Sequence, residues 1–409
     1  MFDTSEITEK IILFCVDLDN GEDVNVNLDE LEELVKTAGG VVVGRLIQKK
    51  DSIDNGTYIG SGKTEELKEL VISTGATGVC CDDELSPMQL KNLEEIVDTK
   101  IMDRTMVILD IFAGRATTRE GKIQVELAQL KYRSSRLIGM RSSLSRLGGG
   151  IGTRGPGEKK LEIDRRIIRD RIGQLQRELD DVKQHRQVMR KQRMEGNLPI
   201  VSIVGYTNAG KSTLLNKLTD AGVLEEDKLF ATLDPTSRNY KLPNGQEIIV
   251  TDTVGFIRKL PHHLINAFRS TLEEAKYADI ILHVVDISNP QADNHILTVY
   301  DTLNSLEVKD KPIITAFNKV DKVEEMPLIK DIHADMIVNI AAKFGKGFDE
   351  LADAIATQIN NCRNLIEKTI SYADAGLLNR IRKYGTILEE EYREDGIFVK
   401  AYVEKDFSI

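Results

Sequence analysis

Gly205-Tyr-Thr-Asn-Ala-Gly-Lys-Ser212 sets two glycines, a lysine and a hydroxyl at the spacing of a phosphate-binding loop. Glycines there let backbone N–H groups curl around phosphate oxygens at the positive end of a helix. Lys211 can then reach the β- and γ-phosphates of a nucleotide, and the Ser212 hydroxyl can ligate Mg2+. The flanks agree: Pro199–Val204 reads as a buried strand and Ser212–Leu218 as a helix. A second stretch, Gly60-Ser-Gly-Lys-Thr64, matches less well. The motif needs a glycine where Thr57 stands, and Gly56 misses by one residue. It reads as a turn into a helix over Lys63–Thr74, with a weak second nucleotide contact as the alternative.

Three more elements follow in order. Phe230-Ala-Thr-Leu-Asp-Pro-Thr-Ser-Arg238 is a polar segment suited to a mobile switch, where Thr232 or Thr236 can complete Mg2+ coordination beside a γ-phosphate. Asp252-Thr-Val-Gly255 follows a strand at Glu247–Thr251. Asp252 is placed to hold Mg2+ through water, and the Gly255 N–H to sense the γ-phosphate. Asn318-Lys-Val-Asp321 follows a strand at Pro312–Phe317. The Asp321 carboxylate can accept hydrogen bonds from the ring N–H and amino group of guanine. Adenine lacks those donors, so ATP would leave a buried charge unpaired. In this order and spacing the elements select GTP. The expected GTP-contacting set is Gly205, Tyr206, Thr207, Asn208, Ala209, Gly210, Lys211, Ser212 and Thr213, then Phe230, Ala231, Thr232, Leu233 and Asp234. It continues with Asp252, Thr253, Val254 and Gly255, then Asn318, Lys319, Val320 and Asp321, and a base-side loop of Ala341, Ala342 and Lys343. Lys211, Thr232 and Gly255 are the expected catalytic residues; Ser212, Thr232 and Asp252 are the expected Mg2+ ligands.

The elements that must position this chemistry alternate. Over residues 1–110, Lys10–Val16, Val41–Ile47, Gly78–Cys81 and Lys100–Asp103 read as strands, and Leu28–Thr37, Lys63–Thr74 and Ser86–Asp98 as helices. Ser86 is the expected N-cap of the last, with Pro87 at its first position. Between 111 and 197 the pattern becomes helical. Ile123, Leu127, Leu130, Leu137 and Leu144 mark one heptad seam, and Leu161, Ile168, Ile172, Leu175, Leu179 and Val182 another. Two such seams predict an antiparallel hairpin with arms of roughly 50 to 60 Å. The glycine-rich stretch Leu147–Glu158 is its non-helical tip. Residues 198–362 hold the nucleotide chemistry. The last stretch, 363–409, suggests a helix over Ala373–Lys383 and a hairpin turning near Glu394-Asp-Gly396. The expected fold class is α/β: a P-loop GTPase domain, an N-terminal α/β domain with a long antiparallel helical hairpin, and a small C-terminal α+β region.

Charge singles out the hairpin. The whole chain of 409 residues carries −11, yet Asp110–Glu195 holds 21 basic against 11 acidic residues, a balance of +10. The other 323 residues therefore sum to −21. A basic island in an acidic protein suits a polyanion, because steering follows the local field; a solvated arginine-rich helix pair is the plainer reading. Apolar runs such as Ile280–Val285 are strand-length, short of the roughly 20 residues that cross a bilayer. No basic stretch followed by an apolar one opens the chain, so no secretory signal is expected. The four cysteines, Cys15, Cys80, Cys81 and Cys362, lack metal-ligand spacing and read as reduced thiols of a cytoplasmic protein.

Several stretches outside the phosphate loop carry a resemblance. Asp103–Arg115, Gly121–Leu130, Gly148–Glu158 and Phe230–Asp234 are similar to the HflX family of ribosome-associated GTPases, of the translation-factor class. The resemblance spans nearly the whole chain. It implies binding to the large ribosomal subunit, with the glycine-rich tip near the peptidyl-transferase centre, and splitting or rescue of stalled or idle ribosomes. Arg146, Gly149, Arg154, Lys159 and Lys160 are the implied rRNA contacts, and neither DNA nor a membrane span is expected. A monomer is expected.

Two features depart from the family pattern. Ala341 stands where serine is usual, leaving the Ala342 N–H and the Lys343 stem to face the base. Lys159 and Lys160 follow Glu158 and add charge at the start of the second arm. Phe256 follows Gly255 where many small GTPases carry a water-orienting glutamine, and phenylalanine cannot hydrogen-bond water. Slow intrinsic hydrolysis, accelerated by a partner, is the expectation. Asn208 stands where some GTPases bind K+, so K+ stimulation is a further expectation. His262 and His263 read as a solvated helix start. The alternatives to a ribosome-dependent GTPase are a switch for a non-ribosomal protein, and an RNA-remodelling factor whose N-terminal region also uses nucleotide, for instance ATP.

Overall fold

Short apolar runs with little polar alternation need cover on both faces, and parallel sheets with flanking helices provide it. The computed structural model describes residues 8–147 apart from 20 and 22, 156–194, 198–219, 229–230, 233–261, 264, 274–325 and 327–404. The chain divides into two compact units: Met1–Val182 with Lys228–Phe230 and Lys259–Phe268, and the remainder.

In the first unit, β1 (Lys10–Asp17), β2 (Val41–Lys49), β3 (Gly78–Cys81) and β4 (Lys100–Asp103) form a parallel sheet ordered β2-β1-β3-β4. Helices α1 (Val24–Thr37), α2 (Ser61–Thr74) and α3 (Pro87–Val97) connect them. Helix α1 starts ahead of the expected Leu28 because the Asp23 carboxylate accepts the Asn25 N–H as its N-cap. Helix α3 has the expected Ser86 cap, closed into a capping box by Gln89. A helix the apolar pattern does not signal, α4 (Arg104–Arg115), starts directly after β4 with Asp103 as its cap. Asp103 is fully buried and accepts from the Leu85 N–H, the Met106 N–H, the Tyr132 hydroxyl at 2.7 Å and Arg136 at 2.6 Å. Buried Arg104 pairs with Asp82 at 3.1 Å and with Glu30. Such charges persist in an interior because partners match them. Burial pushes the Cys15 thiol up to about 12 and those of Cys80 and Cys81 well above their ordinary value. These are inert structural thiols.

The hairpin arms are α5 (Arg119–Leu147) and α6 (Pro156–Met194). Ile123 and Leu127 pack against Leu175 and Leu179, with Leu130 and Ile172 alongside, so the first turns of one arm meet the middle of the other. Arg171 closes a two-pronged pair on Glu126 at 2.8 and 3.0 Å. One expectation is corrected: helix begins at Pro156, inside the stretch read as non-helical. Proline suits a first helical turn, where its missing N–H has no partner to lose. The tip, 148–155, lies outside the described residues.

In the second unit, β5 (Ile200–Gly205), β6 (Thr236–Lys241), β7 (Glu247–Asp252), β8 (Ile280–Asp286), β9 (Ile313–Asn318) and β10 (Met336–Asn339) form one sheet ordered β10-β9-β8-β5-β7-β6. All pairings are parallel except that of β6 with β7. Helices α7 (Lys211–Thr219), α8 (Ala292–Ser305) and α9 (Phe348–Asn361) accompany it. Thr236, read as part of a switch, opens β6 opposite Asp252 and does not belong to a loop. The polar alternation Thr236-Ser-Arg-Asn-Tyr-Lys241 is that of a half-exposed edge strand. The C-terminal part adds β11 (Arg363–Ile370), β12 (Thr386–Arg393) and β13 (Gly396–Glu404), an antiparallel sheet ordered β11-β13-β12. Helix α10 (Ala375–Tyr384) closes a small core of Ile370, Leu378, Ile381, Ile397 and Val399. The expected helix and hairpin are present, and β11 is the unforeseen third strand.

Candidate nucleotide site

Three parallel strands end at motif residues, β5 at Gly205, β7 at Asp252 and β9 at Asn318, and a fourth, β8, ends beside them at Asp286. The strand order reverses around β5, and open parallel sheets bind ligands outside the carboxyl ends at such a point. Buried Val201, Ile203 and Val204 of β5 hold the strand between β7 and β8, so the loop after Gly205 starts from a fixed base.

The loop is clamped from below. Asn318 donates to the Ala209 carbonyl at 2.8 Å and accepts the Ala342 N–H at 2.9 Å, joining three motifs through one buried amide. Gly210 is at φ +96°, and a Cβ there would fall 2.3 Å from Asn318 Nδ2. Lys319 bridges the Asn208 carbonyl at 2.9 Å and the Asp286 carboxylate at 2.7 Å. Asp321 follows in a short 3-10 turn, Val320–Lys322. Asp286 escaped the sequence reading; its signal was a carboxylate ending the apolar run of β8.

Lys211 is buried, and its ammonium donates to the Tyr206 carbonyl at 2.8 Å. Burial pushes its pKa down to about 8, against the pull of the Asp252 carboxylate and aided by Lys319. Ser212 Oγ donates to Asp252 Oδ2 at 2.9 Å, placing a neutral and an anionic oxygen together. Oxygen donors of this kind fit a hard cation such as Mg2+. Thr253 donates to the Ile203 carbonyl at 2.7 Å and fixes the chain leaving β7. Gly255 then lies so near the phosphate loop that a Cβ would meet Thr207 Cγ2 at 2.8 Å and the Lys211 ammonium at 3.0 Å. Beyond it, buried Phe256 bonds through its backbone to Gly205 and Thr207.

Residues 205–213, 252–255, 318–321 and 341–343 are therefore brought to one end of the sheet. In the base-side loop the Ala342 N–H donates to the Asn318 amide oxygen, which ties that loop to the Asn318–Asp321 motif. Leu233 is buried ahead of β6. Phe230 belongs to the first unit, where its ring packs edge-to-face on Phe112 at 4.7 Å. Ala231, Thr232, His262 and His263 lie outside the described residues. So do Gly149 and Arg154, and the side chains of Arg146, Lys159 and Lys160. No described helix is long and apolar enough to cross a membrane.

Three family models match consecutive stretches of the chain: "GTP-binding GTPase N-terminal" over residues 25–113, "GTP-binding GTPase Middle Region" over 115–193 and "50S ribosome-binding GTPase" over 200–319. The protein named GTPase HflX of Lacrimispora saccharolytica is 63% identical over 403 residues, covering 98% of this chain and 95% of that one. Its namesake in Escherichia coli is 38% identical, covering 97% and 93%. Among solved structures, SsGBP in complex with GDP aligns at 25% identity with a TM-score of 0.46, covering 86% of this chain and 98% of that one.

Proposed function

The chain belongs to the HflX family of GTPases, and from that premise we propose that it acts on the large ribosomal subunit, separating or rescuing stalled or idle ribosomes. It binds and hydrolyses GTP. The observation that carries the ribosomal reading is the hairpin: a packed seam at Ile123, Leu127, Leu175 and Leu179 joins two long arms, and the stretch that contains them carries the +10 balance of an otherwise acidic chain. A rigid basic arm suits a phosphate-lined RNA cavity recognised by shape. Arg146, Gly149, Arg154, Lys159 and Lys160 are the proposed contacts. The family description "50S ribosome-binding GTPase" over residues 200–319 supports the same partner.

In the proposed reaction, loop N–H groups and Lys211 hold the phosphates, and Asp321 reads guanine. Ser212, Thr232 and, through water, Asp252 would hold Mg2+, which neutralises charge on the β- and γ-oxygens. The Gly255 N–H addresses the γ-phosphate. Phe256 is buried and apolar, so it orients no water, and intrinsic turnover is slow. K+ beside Asn208 is proposed to assist, which equal turnover in KCl and NaCl at matched ionic strength would exclude. We further propose a cytoplasmic monomer.

The test is GTP hydrolysis with and without large ribosomal subunits in potassium buffer. A rise of about tenfold or more, roughly 1.4 kcal/mol off the barrier, means that the subunit completes the site. Intact GTP binding with no rise overturns the reading in favour of a protein effector. Replacing Arg146 and Arg154 with alanine should weaken subunit binding.

A further inference from the structure

A tyrosine is an expensive occupant of a phosphate loop, because burying its ring also buries a hydroxyl that needs a partner. Tyr206 is only 5% exposed, and its hydroxyl accepts the Arg258 N–H at 2.9 Å. Its ring lies flat on His295 of α8, with centroids 3.6 Å apart and planes 7° from parallel. On either side of Tyr206 the backbone makes the same connection: the Phe256 N–H donates to the Gly205 carbonyl at 3.1 Å, and the Thr207 N–H to the Phe256 carbonyl at 2.8 Å. Three hydrogen bonds thus fasten residues 256–258 to residues 205–207. Gly255, directly upstream, is held against Thr207 and the Lys211 ammonium.

We propose that Tyr206 and His295 are positioning residues for GTP hydrolysis, locking the segment after Gly255 onto the phosphate loop. The two backbone bonds can form with almost any sequence. The hydroxyl bond needs a tyrosine, and the stack on His295 sets the direction in which that hydroxyl points. With the lock closed, the Gly255 N–H keeps its place beside Lys211 and is ordered before the γ-phosphate is attacked. With the lock open, the phosphates are still gripped by the loop, but the segment that must address the transition state wanders. The lock therefore acts on turnover and leaves nucleotide affinity alone.

The test uses the full chain without ribosomes, so its outcome is independent of the ribosomal reading. Tyr206→Phe keeps the ring and removes the hydroxyl. Its kcat is expected to fall about three- to tenfold while KM and the GDP Kd stay within about twofold. His295→Ala should lower kcat about two- to threefold, and His295→Phe, which restores a stacking ring, should recover most of it. Hydrogen exchange of the Arg258 amide should quicken about tenfold in Tyr206→Phe with GDP bound, a readout that needs no turnover. An unchanged kcat and unchanged Arg258 exchange overturn the proposal. So does a loss of nucleotide affinity in step with kcat, which would make Tyr206 a binding residue only.

Discussion

Two glycine-rich loops in this chain each run from a sheet into a helix with a lysine near its start, and they are built for different ends. At Gly60-Ser-Gly-Lys-Thr64 the loop is finished internally. The Gly60 N–H goes to Gln48 at 2.8 Å, the Gly60 carbonyl takes both the N–H and the hydroxyl of Thr64, and Lys63 pairs with Glu66 at 2.8 Å. At Gly205–Ser212 the loop is held from below by Asn318 and Lys319, while Lys211 turns inward. A buried lysine whose ammonium is driven toward neutrality is stabilised by a dense anion, and a surface lysine satisfied by a neighbouring glutamate has no such demand. Gly205 stands six residues ahead of Lys211, the spacing a phosphate loop needs, whereas Gly56 stands seven ahead of Lys63. The extra residue goes with a capped turn, and the exact spacing with a cradle.

The contrast breaks most sharply on the lysines. Lys211→Ala should lower kcat/KM for GTP about a hundredfold or more, whereas Lys63→Ala should leave it within about twofold. Steady-state turnover of the two variants decides it; an equal loss in both would make the first loop a second nucleotide site. The glycines sharpen it next. Gly210→Ala drives a Cβ into Asn318 at a strained φ and should weaken GDP binding about tenfold or more. Gly62→Ala meets nothing within 4 Å and should stabilise the fold by about 0.5 kcal/mol, read from chemical denaturation. The two supporting amides follow. Asn318→Ala strands the Ala342 N–H and should cost about 1–3 kcal/mol with weaker GTP binding. Gln48→Ala should cost about 1 kcal/mol or less and leave nucleotide binding alone. The smallest effect is that of pH. Lys211, depressed to about 8 in the folded chain, loses its proton above that pH, so GTP affinity should fall a few-fold between about pH 7 and 9. The unfolded chain keeps that proton up to its ordinary value of 10.5, so the nucleotide-free fold gains stability as pH rises from about 8. Calorimetric titration across that range checks the first, and unfolding midpoints the second.

Much of this was legible along the chain. The four N-terminal strands, the N-cap at Ser86 and the hairpin seams through Leu127 and Leu175 follow from local patterns of apolar spacing and capping chemistry. The misses share one cause. Helix α4 is amphipathic only weakly and is held by Asp103, whose partners Tyr132 and Arg136 lie far along the chain. Strand β6 is polar on alternate residues and becomes a strand only because β7 supplies its ladder.

Residue types at fixed spacing determined the ligand. Phosphate cradling, metal ligation and guanine reading each need particular atoms a set number of bonds apart, and a linear sequence records that directly. What the tertiary structure alone decided is which of those atoms remain available. It gave Asp286 to Lys319, the Ala342 N–H to Asn318, Phe230 to Phe112 and the Tyr206 hydroxyl to Arg258. Those pairings join residues distant in the chain, and they exist only once the sheet has brought its strand ends together.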